Sequence, residues 1–357
     1  ADGATITNSI FTVSNADATF QNLTIQGPDL SGVTDSKGAA IQISSNTNNS
    51  VRLDNVTISG GKAVLGGAIY NAGAMLVLSG GALNGNSATQ GGAVYNASGS
   101  LTISNAFLNG NTATAGNGGA IYNQGGAVIV NGGSLNGNTA SSHGGAIYNA
   151  GTSVSLTSVT ISNNEANQGG AVYNHVGSLT LNDTTISGNK ATDGAGLYLN
   201  GGTFATAGNA SVLSGNIATG MGGAIYNNIN MTLDSLVSLT GNEANQGGAI
   251  FNAGSLVLSD ITVSDNSAVQ GGAVYSDGTV TLNGATISGN NAADGAGLYL
   301  NGGSVTFESQ TSALSGNIAT GMGGAFYTKI NMTVNNLVSM TDNKAGKGGA
   351  VYIDGGT

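Results

Sequence analysis

The stretch Gly66-Gly67-Ala68-Ile69-Tyr70-Asn71 decides the fold, because it returns along the rest of the chain with small changes. The later copies of this hexad begin at residues 91, 118, 144, 169, 194, 222, 247, 271, 295, 323 and 348. Successive copies begin 24 to 28 residues apart, and a weaker copy occupies residues 38–43. A fixed period of this length is the signature of a repeat protein in which each period forms one structural unit.

A second motif precedes each later hexad and consists of an aliphatic residue, two further residues and asparagine, as in Leu83-Asn84-Gly85-Asn86. Asparagine tolerates the bent backbone of a corner, and stacked side-chain amides can hydrogen-bond to one another. We therefore predict a structural asparagine ladder. Its members are Asn86, Asn111, Asn138, Asn164, Asn189, Asn216, Asn242, Asn266, Asn290, Asn317 and Asn343.

The residues between the two motifs alternate between apolar and polar side chains, as in Leu101-Thr102-Ile103. Alternation with period two is typical of strands, and Gly, Asn and Ser between the runs are typical of corners. Each period of about 25 residues therefore predicts three short strands. The predicted fold is all-β: a single-stranded parallel β-helix of 12–13 coils, with the right-handed winding expected of parallel crossovers.

The predicted organisation is one continuous solenoid. Residues 66–357 hold the regular repeats, whereas residues 1–65 depart most from the consensus and are expected to form atypical coils or an N-terminal cap. The sequence stops at Gly355-Gly356-Thr357, inside a repeat, so the C-terminal end is expected to be truncated.

An aromatic ladder is predicted from the fifth hexad position. It holds every tyrosine of the chain: Tyr70, Tyr95, Tyr122, Tyr148, Tyr173, Tyr198, Tyr226, Tyr275, Tyr299, Tyr327 and Tyr352. Phe251 fills the remaining coil. The always apolar fourth position favours tyrosines that face outward, since neighbours in a strand face opposite ways. Two roles stay open: stacking that only stabilises the sheet, and a strip that contacts a glycan, a protein or another copy.

Composition excludes several classes of function. The net charge is −10, with seven Lys and Arg and no basic patch, so nucleic acid is not an expected partner. The chain has no cysteine, which excludes disulfides and thiolate metal sites. No apolar run reaches the length of a membrane span. Only 7% of the residues are charged and 39% are hydrophobic, which argues against disorder.

An enzyme is not expected, although parallel β-helices include polysaccharide lyases and hydrolases. Such chemistry needs clustered carboxylates, or acidic calcium ligands beside a basic residue. Arg52 is the one arginine and lies in the atypical N-terminal region. His143 and His175 occupy different coils and different repeat positions, as solvated corner residues would. Asp193 and Asp294 share a repeat position but lie four coils apart, roughly 20 Å along the stack.

The densest acidic neighbourhood holds Asp260, Asp265 and Asp277. Calcium binding there stays open, but the calcium-binding repeat Gly-Gly-x-Gly-x-Asp is absent. No cofactor and no metal site is therefore predicted. Two longer coils carry extra residues around 203–206 and 304–307, which we expect to bulge from the surface as contact sites or tolerated insertions.

The hexad paired with aliphatic-x-x-Asn resembles the Gly-Gly-Ala-Ile and Phe-x-x-Asn repeats of polymorphic outer membrane proteins and, more broadly, autotransporter passenger domains. The resemblance covers residues 38–357, with Ile, Leu, Val or Met in place of Phe. It implies a secreted or surface-displayed adhesin, anchored at the outer membrane through a part not present. Its partner would be a host or bacterial surface protein or glycan, or another copy. The alternatives are a stalk or filament spacer and, less favoured, a polysaccharide-degrading enzyme.

Overall fold

The computed structural model describes residues 8–44 and 49–355, and the chain divides into two compact units, Ala1–Leu179 and Thr180–Thr357. Each unit is a β-solenoid of parallel strands, and the described residues contain no helix. The two units together hold about 12 turns of about 25 residues. The predicted all-β parallel β-helix is confirmed.

The strands of unit 1 form three main faces. The first face carries the hexads: Phe11–Val13, Ile41–Ile43, Ile69–Asn71, Val94–Asn96, Ile121–Asn123, Ile147–Asn149 and Val172–Asn174. The second face consists of Ala18–Gln21, Ser50–Asp54, Met75–Ser79, Ser100–Ser104, Ala127–Asn131 and Ser153–Thr157. The third face holds six strands, of which the last four precede ladder asparagines: Thr24–Gln26, Thr57–Ser59, Ala82–Asn84, Phe107–Asn109, Ser134–Asn136 and Thr160–Ser162.

The strands of unit 2 form the same three kinds of face. Its first face holds Leu197–Leu199, Ile225–Asn227, Ile250–Asn252, Val274–Ser276, Leu298–Leu300, Phe326–Thr328 and Val351–Ile353. Its second face holds Thr203–Thr206, Asn230–Leu233, Ser255–Ser259, Thr279–Asn283 and Ser304–Phe307. Its third face holds Thr185–Ser187, Ser211–Ser214, Val237–Thr240, Thr262–Ser264, Thr286–Ser288, Ser312–Ser315 and Val338–Thr341. The strand Ser178–Asn182 contains the division between the units.

A fourth short strand follows the ladder asparagine in many turns, where the sequence predicts only a corner. In unit 1 these strands are Lys62–Leu65, Ser87–Gln90, Thr112–Ala113 and Thr139–Ala140. In unit 2 they are Lys190–Ala191, Ile217–Ala218, Glu243–Gln246, Ser267–Gln270, Asn291–Asp294 and Ile318–Ala319. The prediction of three strands per turn is therefore too low for these turns. Such strands are two to four residues long, too short to show a period of two in the sequence.

The core of each solenoid follows from the alternation of the strands. Leu101 and Ile103 are fully buried, whereas Thr102 between them faces outward and is half-buried. Parallel pairing keeps equal positions in register, with Thr102 opposite Val77 in the preceding turn and Ile129 in the following one. Aliphatic side chains therefore stack on aliphatic side chains inside each unit, and burying each one contributes about 1.5–3 kcal/mol.

Most hexads begin with two glycines that make close backbone contacts, as Gly91 and Gly92 do. Gly91 has φ of 63°, in the left-handed region that glycine adopts without steric cost. A Cβ on Gly92 would lie 2.1 Å from the carbonyl oxygen of Gly119 in the next turn. A side chain at Gly92 would therefore force the turns apart, and one at Gly91 would lie 2.4 Å from the Val94 carbonyl oxygen of its own turn.

The prediction that the extra residues around 203–206 and 304–307 bulge from the surface is wrong. Thr203–Thr206 and Ser304–Phe307 are strands of the second face, because their alternating side chains continue the pleat. Val305 pairs with Val280, and the buried ring of Phe307 lies 6.1 Å from that of Phe326. The added length lies in the bends that follow, at residues 207–210 and 308–311.

The predicted atypical region 1–65 contains strands of the same kind, and Ile41 pairs in register with Ile69 of the first full hexad. Residues 1–7 and 45–48 of this region lie outside the described residues, as do the last two residues of the chain. The role of the region as a cap stays a prediction.

Candidate functional site: the aromatic ladder and its rim

The tyrosines of unit 1 form a continuous stack of rings. The centroids of Tyr70 and Tyr95 lie 5.6 Å apart, those of Tyr95 and Tyr122 4.7 Å, those of Tyr122 and Tyr148 5.0 Å, and those of Tyr148 and Tyr173 5.4 Å. The planes of neighbouring rings differ by 4° to 22°. Parallel pairing in exact repeat register, such as Tyr95 opposite Tyr122, aligns these rings.

Unit 2 holds a second aromatic stack. It runs through Tyr198, Tyr226, Phe251, Tyr275, Tyr299, Tyr327 and Tyr352, with successive centroids 4.3, 4.9, 5.3, 5.0, 4.4 and 5.5 Å apart. Aromatic pairs at such distances contribute about 0.5–1.5 kcal/mol beyond the area they bury. The stack therefore stabilises the hexad face of the unit.

The ladder rings lie on the side of the hexad strand opposite the aliphatic core. Val94 and Asn96 point inward and are fully buried, and Tyr95 between them points the other way. Even so, Tyr95, Tyr148, Tyr173, Tyr198, Tyr275, Tyr299 and Tyr327 are only 2–9% exposed. Tyr70, Tyr122, Tyr226 and Tyr352 are partly exposed. The ring faces are thus covered by their neighbours, and a role of the ladder as a binding strip stays a prediction.

Burial shifts the ionisation of the ladder phenols. It raises the pKa of Tyr95, Tyr148 and Tyr275 to about 12, and neighbouring ionisable groups on the ladder and its rim add to the effect. The pKa of Tyr327 is raised further, first by burial and then by its hydrogen bond to Asp354. These four tyrosines therefore stay neutral and protonated throughout the physiological range.

One rim of the ladder is formed by the residues two positions beyond the tyrosines, and in several turns this residue contacts the ring of the preceding turn. Gln124 accepts a hydrogen bond from the Tyr95 hydroxyl at 2.8 Å, and Asp354 accepts one from the Tyr327 hydroxyl at 2.5 Å. Lys329 places its ammonium group 5.4 Å from the centroid of Tyr299. We call this set of residues the rim position; its chemistry changes from turn to turn while the ladder stays aromatic.

Both histidines lie near rings of the unit 1 ladder; His175 is exposed and His143 is partly buried, so only His143 departs from the solvated position that was expected. The His143 ring lies 4.6 Å from the Tyr173 ring, and the rim-position His175 lies 6.2 Å from the Tyr148 ring. His143 Nδ1 is 2.9 Å from Asn117 Oδ1. Burial lowers the pKa of His143, a hydrogen bond with Gln168 opposes that shift, and nearby His175 adds to it. Parallel stacking of the hexads in register brings the two histidines to one pair of rings.

The predicted asparagine ladder is a buried chain of hydrogen bonds. In unit 1, Asn111 donates from Nδ2 to Asn138 Oδ1 at 3.0 Å, and Asn138 donates likewise to Asn164 at 2.9 Å. In unit 2 the same contacts link Asn216 to Asn242 and Asn242 to Asn266, both at 3.0 Å. Each amide also caps a carbonyl of the turn before, so these asparagines satisfy backbone groups that the corners leave unpaired.

A second asparagine ladder, at the sixth hexad position, was missed. Asn71, Asn96, Asn123 and Asn149 are fully buried, and each donates to the carboxamide oxygen of the next asparagine at 2.7–2.8 Å. The sequence contained a signal for this second ladder, because the sixth hexad position shares a strand face with the buried fourth position. A recurring Asn on a core-facing position predicts a satisfied polar ladder, since an unpaired buried amide is costly.

The acidic residues singled out in the sequence have separate contacts. Asp193 and Asp294 each accept a hydrogen bond from the backbone N–H of a methionine in the next turn, at 3.0 and 2.9 Å. Asp260 and Asp265 occupy left-handed corner conformations, and Asp277 accepts a hydrogen bond from Asn301 at 2.7 Å. Within residues 8–44 and 49–355, no group of three or more His, Cys, Asp or Glu side chains could hold a metal ion.

The fold and the repeat sites define the class of the protein: a parallel β-solenoid repeat protein with internal amide ladders and an aromatic ladder on its hexad face. Four segments match the Chlamydia polymorphic membrane protein repeat, at residues 132–150, 158–175, 210–228 and 260–277. Each matched segment contains one aliphatic-x-x-Asn element and the hexad that follows it. The resemblance to these repeats is confirmed.

No curated protein and no solved structure matches the chain significantly. The described part of the chain contains no helix that is long and apolar enough to cross a membrane.

Proposed function

We propose that this chain is a passenger region at a bacterial surface or outer membrane, where it binds a host or bacterial surface protein or glycan, or another copy of itself. The observation that carries the proposal is the match of four segments to the Chlamydia polymorphic membrane protein repeat. The name of that repeat belongs to membrane proteins, which supports a surface location here.

The solenoid geometry supports binding through repetition. In unit 2 the last outward position of the third face carries a hydroxyl in every turn: Ser187, Ser214, Thr240, Ser264, Ser288, Ser315 and Thr341. Parallel strands hold such groups about 4.8 Å apart. A partner with its own repeating groups would make many weak contacts at once, and linked contacts raise the overall affinity well above that of each one.

Three outward apolar side chains of unit 1 are the best candidates for stronger contacts. Met75 and Phe107 are each 50% exposed and Ile129 is 37% exposed, although all three lie in regular strands. Phe107 pairs with Ala82 in the preceding turn and Ser134 in the following one, so its ring stands above small neighbours. Exposed aromatic and methionine side chains are enriched in the centres of protein interfaces.

The alternatives are a stalk or filament spacer without a ligand of its own, and an enzyme that degrades polysaccharides. The buried state of most ladder rings favours the stalk over a glycan strip, because covered ring faces cannot stack on sugars. We further propose that the chain is not an enzyme. In support, Arg52 is held by Asp54 at 2.7 Å, and His143 is held between Asn117 and the ladder.

The test combines sedimentation over a range of concentrations with binding to whole cells, a glycan panel and matrix proteins. The surface variant carries Met75→Ser, Phe107→Ser and Ile129→Ser together. The ladder variant carries Tyr122→Phe, Tyr148→Phe and Tyr173→Phe, which removes hydroxyls and keeps the stack. We expect binding or self-association by the parent chain that the surface variant loses and the ladder variant keeps.

Loss in the ladder variant alone would assign the contact to the phenol hydroxyls. A parent chain that stays monomeric and binds none of the cells, glycans or matrix proteins would contradict the adhesin proposal and leave the spacer as the better explanation.

A further inference from the structure

Tyr327 combines a stacked position with a charged hydrogen-bond acceptor. Its ring is 4% exposed and lies 4.4 Å from Tyr299 on one side and 5.5 Å from Tyr352 on the other. Its hydroxyl donates to the carboxylate of Asp354 at 2.5 Å, a distance typical of strong hydrogen bonds to an ionised group. Asp354 stands at the rim position of the last turn of unit 2 and is itself exposed.

The hydrogen bond from Tyr327 to Asp354 makes it easier for the phenol to lose an electron. A phenol that loses one electron becomes a strong acid and must give up its proton at once, so a proton acceptor already in place makes oxidation easier. The carboxylate of Asp354 can take that proton and pass it to water. The amide oxygen of Gln124, which occupies the same rim position beside Tyr95, accepts the hydrogen bond but is too weak a base to take the proton.

The environment of the two neighbouring rings decides which of them couples to Tyr327. Tyr299 is 2% exposed, lies 5.0 Å from Tyr275, and has the positive charge of Lys329 5.4 Å from its centroid, which opposes electron loss. Tyr352 is partly exposed, and its ring plane is tilted by 23° from that of Tyr327. It is therefore the less covered of the two rings that flank Tyr327.

We propose that Tyr327, with Asp354 as its proton acceptor, is a one-electron oxidation site at which an outer-sphere oxidant links Tyr327 covalently to Tyr352 of the next turn. Each phenol gives one electron to the oxidant. The proton of Tyr327 goes to Asp354 and that of Tyr352 to water. The two radicals form one carbon–carbon bond between positions ortho to the oxygens. The ring hydrogens displaced by the new bond then move to the oxygens and restore two phenols.

The positions of the lysines make this link directly detectable. Trypsin cuts after Lys190, Lys329, Lys344 and Lys347, so Tyr327 lies in peptide 191–329 and Tyr352 in peptide 348–357. A bond between the two rings joins these peptides, whereas a bond between Tyr299 and Tyr327 stays within one peptide. The full chain would be oxidised with photogenerated tris-bipyridyl ruthenium(III), and monomers would be isolated before they are denatured and digested.

We expect the joined peptide from the parent chain and none from Tyr327→Phe. Asp354→Asn keeps the shape of the rim but removes the charged acceptor. Because an amide is too weak a base to take the phenol proton, this variant should lower the yield of joined peptide by about tenfold or more. Asp277→Asn is the matched control, because Asp277 holds the same rim position two residues beyond Tyr275, and the preceding turn carries Phe251, which has no hydroxyl. It should leave the yield unchanged.

Three results would overturn the proposal: a joined peptide that persists in Tyr327→Phe, an equal yield from Asp354→Asn and the parent chain, and an equal loss in Asp277→Asn and Asp354→Asn. Circular dichroism of each variant before oxidation separates loss of the link from loss of the fold. The proposal does not depend on the adhesin function, and the two tests share no readout.

Discussion

Replacing Asn138 with alanine tests whether the buried amide ladder holds the turns of unit 1 together. The Asn138 side chain is fully buried and accepts from the backbone N–H of Asn111 at 2.9 Å and from its Nδ2 at 3.0 Å. It also donates to the Leu108 carbonyl at 2.8 Å. Asn138→Ala leaves the Asn111 N–H without its acceptor and removes a donor from Leu108, both away from water.

The expected cost follows from these two groups. A buried polar group left without a partner costs about 1–3 kcal/mol, so the free energy of unfolding should fall by about 2–6 kcal/mol. The matched control is Asn136→Ala in the same turn. Asn136 is exposed and accepts from Ser162 and Asn163 at 3.2 and 3.1 Å, contacts that water can replace. The control should change the free energy of unfolding by no more than about 0.5 kcal/mol.

Urea unfolding followed by circular dichroism measures the global effect, and hydrogen exchange at the Asn111 N–H measures the local one. Exchange is needed because repeat proteins can unfold in parts, so that one midpoint does not describe every turn. If Asn138→Ala is no more destabilised than Asn136→Ala, and the Asn111 N–H stays equally protected, the ladder does not stabilise the solenoid as we argue.

Two further predictions address the hexad face. Gly119→Ala should destabilise unit 1 by about 1–3 kcal/mol or more, because its Cβ would lie 2.0 Å from the Gly145 carbonyl oxygen. The control is Gly32→Ala, whose Cβ meets nothing within 4 Å. Equal unfolding curves for the two variants would contradict this close-packing argument. The pKa of Tyr95 and of Tyr148 is about 12 in the folded chain and near 10 in the unfolded chain. Their contribution to the free energy of unfolding is therefore complete below pH 10 and is lost as the pH rises through 12. Absorbance titration of the phenols against the unfolded chain measures this shift, and ionisation near pH 10 in the folded state would refute it.

The comparison of sequence and structure separates what is local from what depends on neighbouring turns. Leu101, Thr102 and Ile103 show in the sequence which side chains face inward, because alternation is a property of one strand. The ladder from Asn86 to Asn164 is equally predictable from its position before each hexad. The ladder that begins at Asn71 shows the limit: the strand pattern places Asn71 on the same face as the core-facing Ile69, but its hydrogen bond to Asn96 of the next turn is visible only in the structure.

Contacts across turns were less predictable because they depend on which side chains of neighbouring turns meet. His143 and His175 lie near one pair of rings only after their turns are stacked in register. The contact between Tyr327 and Asp354 spans 27 residues and depends on a rim position that has no common residue type. The fourth strand, such as Thr112–Ala113, is stabilised by pairing with the turns beside it and has no pattern of its own.

By itself the sequence determined the parallel solenoid, its period, its aliphatic core and its aromatic ladder, because each of these repeats an identical local pattern that parallel pairing stacks in register. Only the tertiary structure decided how far the ladder rings are covered and what their hydroxyls contact. Those properties arise where side chains of neighbouring turns meet, and the spacing between these turns varies from 24 to 28 residues along the chain.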